Sequence, residues 1–95
     1  MRLELSRRAQ ADLDDIRDYS VEQFGIEQAI HYLDAIEQAF RRLLDHPRIG
    51  AQRVDIGGKV LSYSAGEHRI LYEARSDRVH VIRVLHKAMD MERWI

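Results

Sequence analysis

The chain has 95 residues, which suffices for one domain with a modest core, so we expect a single domain over residues 1–95. A content of 45 % hydrophobic and 33 % charged residues argues against a disordered chain, and the absence of cysteine excludes disulfides and thiolate zinc sites. The net charge of −1 hides an asymmetry, since residues 1–45 carry six Lys/Arg against ten Asp/Glu and residues 46–95 carry nine against six. The second half presents either ordinary surface charge or a basic face for an anionic or acidic partner.

No targeting segment, membrane span or metal site is expected. The first five residues alternate apolar and charged side chains and contain no apolar h-region. No apolar run approaches the roughly 20 residues that a membrane-spanning helix needs. None of the five histidines lies four residues from another, and we expect no cofactor. The cytoplasm is the default location.

The first half of the chain predicts a short strand followed by two helices. Residues 2–5 alternate with period 2, and Ser6 follows at an N-cap position. Apolar residues then recur at helical spacing on either side of Gly25, and His46-Pro47 ends the second run. The first stripe comprises Ala9, Leu13, Ile16, Tyr19, Ser20 and Phe24, and the second comprises Ala29, Leu33, Ile36, Phe40 and Leu43. Two helices joined by so short a turn pack antiparallel, as a helical hairpin.

The second half predicts strands. Gly57-Gly58 favours a two-residue hairpin between residues 54–56 and 59–63, and two further strands are expected at 68–74 and 79–85. The β-branched run 79–85 is typical of a central, buried strand, and residues 89–95 predict a turn of helix that lays Trp94 and Ile95 against the body. The expected fold is therefore α+β, with element order β-α-α-β-β-β and a twisted antiparallel sheet packed on the helical hairpin.

Five segments in chain order resemble ParE-type toxins of the ParE/RelE superfamily. Residues 5–19 resemble the first helix of that family, with its pattern S..A..DL..I..Y. The remaining segments are Phe24-Gly25 with Ala29 and Tyr32, residues 43–50 (L..P..G), residues 64–72 (G.H.I.Y) and residues 82–90 (I.RVLH..MD). The resemblance covers essentially the whole chain.

The resemblance implies a toxin of a type II toxin–antitoxin module, of the kind found at plasmid-stability or chromosomal stress loci. It implies a hetero-oligomer with a ParD-like antitoxin, whose C-terminal segment wraps around the toxin. The ParE branch is associated with inhibition of DNA gyrase and is not thought to catalyse a reaction. The related RelE branch cuts mRNA in the ribosome, and a decayed member that binds its antitoxin without being toxic is a third possibility.

Cationic side chains gather near the end of the last predicted strand. A ribonuclease would need such groups as acid, base and phosphate stabilisers. Strand alternation, however, predicts that Arg83 and His86 point to opposite faces, with Arg83 paired to an acid such as Glu73 and His86 capping backbone groups. Alternatively, side chains in this region contact the toxin's target, and the candidates for such contact are Arg69, Arg83, His86, Lys87 and Trp94. Trp94 packs either on the body or on a partner.

Open sheet edges and a helical hairpin offer two surfaces on which an antitoxin peptide can dock. The helices contribute the candidates Leu13, Ile16, Tyr19 and Phe40, and the predicted 59–63 strand near an edge contributes Val60, Leu61 and Tyr63. The tyrosines Tyr19, Tyr32, Tyr63 and Tyr72 favour core or rim packing over a base-stacking platform. The acidic run Asp12-Asp14-Asp15-Asp18 is interpreted as a solvated helix face and not as a metal site.

Overall fold

The structure, a computed structural model, describes residues 1–94. It has the predicted α+β architecture, in which a helical hairpin follows the first strand along the chain and the remaining strands come after it. In chain order its elements are β1 (Arg2–Leu5), α1 (Arg7–Phe24), α2 (Ile26–Asp45), β2 (Ala51–Gln52), a 3₁₀ turn (Val54–Ile56), β3 (Leu61–Ala65), β4 (His68–Ala74), β5 (Arg78–His86) and α3 (Met91–Trp94). Within these residues, no helix is both long and apolar enough to cross a membrane.

The five strands form one mixed sheet in the order β1-β5-β4-β3-β2. The strands β2 to β5 pair antiparallel, as predicted. β1 instead runs parallel to β5, with Leu3 opposite Val79 and Leu5 opposite Val81. A parallel pair requires a long crossover connection, and here both helices and three strands separate its members. β5 has a neighbouring strand on each side, as expected for a buried strand, and β4 is the third of the five strands across the sheet.

The helical hairpin follows from local sequence signals. Ser6 caps α1 as predicted, because its Oγ accepts a hydrogen bond from Ala9 N at 3.0 Å. Gly25 has φ +88°, which glycine adopts without steric cost, and it ends α1 and begins α2. The two helices bury their apolar stripes on the sheet except at Tyr19 and Phe24, and Ile36 and Leu43 are almost fully enclosed.

A β-bulge in β5 changes which side chains share a face. Leu71 pairs with Arg83 but Tyr72 pairs with Val81, so Ile82 is an extra residue without a partner on β4. As a result Val81 and Val84 both belong to the core beneath the helices. The simple alternation predicted for this strand is therefore wrong at Ile82 and resumes from Arg83, and Ile82 and Leu85 pack in a second, smaller cluster.

The predicted hairpin at Gly57-Gly58 is also wrong. Residues 54–56 form a 3₁₀ turn, and Gly58 N donates to Arg53 O at 3.0 Å. Positive φ angles at both glycines allow the chain to turn here without pairing two strands. The strand that precedes β3 and pairs with it is β2, at Ala51–Gln52, and β3 itself begins only at Leu61.

Candidate functional site

A groove of about 930 Å³ lies between the helical hairpin and the end of the sheet. Both helices, the β3–β4 turn, the end of β5 and α3 contribute to it. Its lining residues are Asp12, Asp15, Ile16, Tyr19, Ser20 and Phe24 of α1; Gln28, His31, Tyr32 and Ala35 of α2; Gly66, Glu67 and His68; Arg83, Val84, Leu85 and His86; and Met89 and Trp94.

The open end of the groove adjoins exposed apolar side chains at the turn between α1 and α2. Ser20 is the last buried residue of α1, so the apolar side chains beyond it lie outside the core. We call this surface the hairpin tip; it comprises Tyr19, Val21, Phe24, Ile26 and Ile30. Tyr19 and Phe24 are 61 % and 66 % exposed, with their rings edge to face at 6.4 Å. Tyr19 therefore lies on the rim of the groove and not in the core, and Phe24, at the end of the apolar stripe of α1, lies outside the core as well.

The other tyrosines are less exposed than Tyr19. Tyr72 is fully buried, and Tyr32 and Tyr63 are half-buried against the core. Tyr72 also ties down the loop after α2, because its hydroxyl accepts a hydrogen bond from Gly50 N at 3.0 Å. The prediction of core or rim packing therefore describes these three residues correctly.

Arg83 forms a buried ion pair with Asp12 in the wall of the groove. Its Nε and Nη2 donate to the two carboxylate oxygens, each at 2.8 Å, and Asp12 also accepts from Val84 N at 2.9 Å. This hydrogen bonding raises the pKa of Arg83. The predicted partner Glu73 is wrong, because Glu73 pairs with Arg75. Asp12 is likewise not part of a solvated helix face.

The same guanidinium group holds the C-terminal helix. Arg83 Nη1 and Arg8 Nη2 both donate to the carbonyl oxygen of Trp94. The Trp94 side chain lines the groove and is 44 % exposed. Trp94 therefore packs on the body and still has surface available to a partner; Ile95 lies outside the described residues.

Tyr32, His68 and His86 form a chain of polar rings on the groove floor. The Tyr32 hydroxyl lies 2.6 Å from His68 Nδ1 and accepts from Glu67 N at 2.9 Å. The rings of His68 and His86 are 5.3 Å apart, and burial together with His86 lowers the pKa of His68. His86 caps the backbone as predicted, since its Nδ1 accepts from Ala88 N at 3.0 Å.

Three of the predicted target-contact residues line the groove. Arg83 and His86 were expected on opposite faces of the strand, yet both contribute to the lining, together with Trp94. Arg69 and Lys87 are outside the lining. Sequence reasoning missed Asp12 and His68 as groove residues, and the only signals were the acidic run on α1 and the family pattern G.H.I.Y.

The predicted antitoxin-contact residues divide into those that line the groove and those that do not. Ile16 and Tyr19 line it, although Ile16 is buried in the core and only Tyr19 is exposed. Outside the lining, Leu13 and Tyr63 are half-buried against the core, Phe40 and Leu61 are in the core, and Val60 is in the smaller cluster. β3 lies one strand in from the edge, behind the two residues of β2. The docking of a partner on any of these residues remains a prediction.

Residues 3–91 match the family described as the ParE toxin of the type II toxin–antitoxin system parDE. The chain belongs to the ParE toxin family. It is 37 % identical to Toxin ParE1 of Caulobacter vibrioides over 90 % of this chain and 88 % of that one. It is also 37 % identical to Toxin ParE1 of Mycobacterium tuberculosis strain H37Rv over 94 % of this chain and 92 % of that one. It is thus a toxin of a type II toxin–antitoxin system.

A solved structure supports the fold independently. A chain described as the chromosomal ParDE toxin–antitoxin system from P. aeruginosa superposes with a TM-score of 0.77. The match covers 90 % of this ParE chain and 95 % of that chain at 24 % sequence identity.

Proposed function

We propose that this ParE toxin is neutralised by a ParD-like antitoxin that binds the groove and the hairpin tip, and that the free toxin inhibits DNA gyrase in the cytoplasm without catalysing a reaction. The observation that carries the antitoxin proposal is the groove itself. It combines apolar lining residues such as Ile16, Val84 and Leu85 with large exposed side chains at one end, and such surfaces on a small protein mark sites of protein association.

The ion pair of Arg83 supports a non-catalytic mode of action. A ribonuclease needs a cationic group directed at the phosphate of its substrate. Both donating edges of Arg83 are used within the chain, toward Asp12 and toward the carbonyl of Trp94. The guanidinium charge therefore stabilises the toxin's own structure.

The antitoxin proposal is tested by removing apolar surface from the hairpin tip. Because Tyr19 and Phe24 are exposed in the free toxin, replacing both with serine has little effect on folding but removes contact area for the antitoxin. We expect Tyr19→Ser with Phe24→Ser to weaken binding of a ParD-like antitoxin at least tenfold, as measured by calorimetry. Val54→Ser, at a residue that is 78 % exposed and outside the groove, is the control. Equal affinities for all three proteins would contradict groove binding.

The gyrase proposal is tested with purified proteins. The toxin should inhibit supercoiling by DNA gyrase and increase the amount of cleaved plasmid, and added antitoxin should reverse both effects. A RelE-like ribonuclease is the second candidate, since Arg83, His68 and His86 line one groove. Arrest of translation in a cell extract, with gyrase unaffected, would favour that candidate and contradict ours.

A further inference from the structure

The two layers of the fold carry opposite charge. The helices α1 and α2 contain nine Asp/Glu against five Lys/Arg, whereas residues 46–95, which supply four of the five strands, contain six against nine. The helices cover one face of the sheet, and we call the opposite face the outer face. The outer face therefore points away from the acidic layer and belongs mainly to the basic half of the chain.

The carboxylates of the outer face are neutralised within the chain. Alternation along β1 and β4 places Glu4 and Glu73 on this face, since the residues on either side of each pack in the core beneath the helices. Glu73 pairs with Arg75 at 2.8 Å. Glu4 pairs with Arg78 at 3.3 Å and also contacts His80. Neither acid is thus left to neutralise a further cation on this face.

Two cations on the outer face have no such partner. Arg69 of β4 lies opposite Ser64 of β3 and Leu85 of β5. A hydrogen bond from Lys87 N to Glu67 O, at 2.9 Å, extends the β4–β5 register by one residue, so Lys87 is the diagonal neighbour of Arg69. Neither cationic side chain has a hydrogen bond or an ion pair within residues 1–94, which the structure describes, and Glu67 itself lines the groove. We call Arg69, Lys87 and Ser64 the outer patch.

The surroundings of the outer patch lack apolar anchors. Leu71 and Leu85, on the same face, are 0 % and 1 % exposed, because Ile56 and Met89 pack against them. None of the large exposed apolar side chains among the described residues lies on β3, β4 or β5. Surfaces that bind proteins centre on such anchors, as at the hairpin tip. The outer patch therefore fits a ligand that is recognised by charge and hydrogen bonds.

The donors of the outer patch suit phosphate groups. Guanidinium, ammonium and hydroxyl groups are the side-chain donors with which proteins contact the phosphate oxygens of nucleic acids. Arg69 is half-buried, so it loses less conformational freedom on binding than a fully exposed arginine would. Diagonal neighbours in a sheet have Cβ atoms roughly 7 Å apart, which allows Arg69 and Lys87 to contact successive phosphates of one strand.

We propose that the outer patch contacts the phosphate backbone of the duplex DNA that gyrase holds, without reading its base sequence, while the acidic helices face away from the DNA. This inference rests on the proposed function and specifies which face of the toxin meets which part of its target. Arg69 and Lys87 are two of the target contacts predicted from the sequence.

The test compares the affinity of the toxin for gyrase with and without a linear DNA duplex. A dye on Asp34→Cys, at an exposed position of α2, reports binding by fluorescence polarisation, since the native chain has no cysteine. We expect the duplex to tighten binding about tenfold at low salt, and this gain to shrink at about 0.2 M salt.

Three variants locate the contact. Arg69→Gln with Lys87→Gln should abolish the gain from DNA and leave the affinity for DNA-free gyrase unchanged. Lys87→Gln alone, at an exposed residue, avoids the half-buried position and should reduce the gain to about threefold. Arg41→Gln with Arg42→Gln removes the same charge from exposed residues of α2 and should keep the full gain.

The outcomes separate this inference from the proposed function. A gain that is absent from the wild type, or that is equal in the wild type and the patch variants, would overturn the inference while the gyrase proposal stands. Weaker binding of the patch variants to DNA-free gyrase would assign the patch to an acidic protein surface and would overturn it as well. No binding to gyrase in either condition would contradict the proposed function, and the inference would fail with it.

Discussion

At the scale of single residues, the Asp12–Arg83 pair joins three elements of the toxin. Asp12 lies on α1, Arg83 on β5, and the carbonyl that Arg83 also contacts lies at the end of α3. The Arg83 residue is only 7 % exposed, so its charge depends on Asp12 for compensation. The pair is thus a structural requirement of the groove wall.

We predict that Asp12→Asn lowers the free energy of unfolding by about 3 kcal/mol, because it leaves a buried guanidinium without a counter-charge. Urea denaturation followed by circular dichroism measures the change. Asp34→Asn makes the same substitution at an exposed position and should stay within about 0.5 kcal/mol of the wild type. Comparable stabilities for the two variants would show that the pair contributes little.

His68 makes stability depend on pH. Since its pKa is lowered in the folded chain, the unfolded chain binds a proton more readily. The contribution of His68 is therefore complete above about pH 6.5, and it is lost as the pH falls from there through the lowered pKa. The charged and titratable neighbours are Tyr32 on α2, Asp12 on α1, Glu67 in the turn and His86 on β5.

We predict a lower melting temperature at about pH 5 than at about pH 7.5, with a smaller difference in His68→Gln, whose side chain does not titrate. Calorimetry at the two pH values measures both quantities. His46→Gln, at an exposed residue, should keep the wild-type difference. Identical pH profiles for His68→Gln and the wild type would rule out His68 as the cause.

At the scale of elements, the sequence predicted those pieces whose signals are local. The cap at Ser6, the turn at Gly25 and the end of α2 at His46 all depend on residues next to one another, and the structure has all three. The 3₁₀ turn and the bulge at Ile82 depend instead on how a strand pairs with distant segments. Glycine content alone does not distinguish a two-residue hairpin from a longer turn, and alternation does not reveal an extra residue.

In the loop from α2 to β2, the space around Gly50 is too small for a side chain. A Cβ atom at Gly50 would lie 2.7 Å from the Tyr72 hydroxyl and 2.9 Å from Ser62 O. We predict that Gly50→Ala lowers the free energy of unfolding by about 1–3 kcal/mol through this overlap. In the Tyr72→Phe background the cost should be smaller, because the nearest contacted atom is absent. Strictly additive losses in chemical denaturation would mean that the hydroxyl is not the obstacle.

At the scale of the whole molecule, the family and the fold could be predicted from the sequence, but the site only in part. The family patterns span the chain, and two amphipathic helices with a run of strands allow few packings. The groove is different, because it is formed by α1, α2, the β3–β4 turn, β5 and α3, which are separated along the chain. His68 and Asp12 meet there only after folding, so no spacing in the sequence indicates their proximity.

The exposed hairpin tip also has a consequence for the isolated toxin. Side chains such as Phe24 and Ile26 are 66 % and 67 % exposed, and water is excluded when two such surfaces meet. We predict that the isolated chain self-associates as its concentration rises, and that Tyr19→Ser with Phe24→Ser suppresses this. Sedimentation velocity over a range of concentrations measures the effect, with Val54→Ser as control. A toxin that stays monomeric throughout would show that the tip is too small to associate.

Beyond the bulge at Ile82, β5 has no spare residue. A residue inserted between Arg83 and Val84 would move Val84 and every later side chain to the other face of the sheet, so that Val84 would leave the core. Homologues that share this groove should therefore tolerate added residues in the turn at 54–58 far better than between residues 83 and 86.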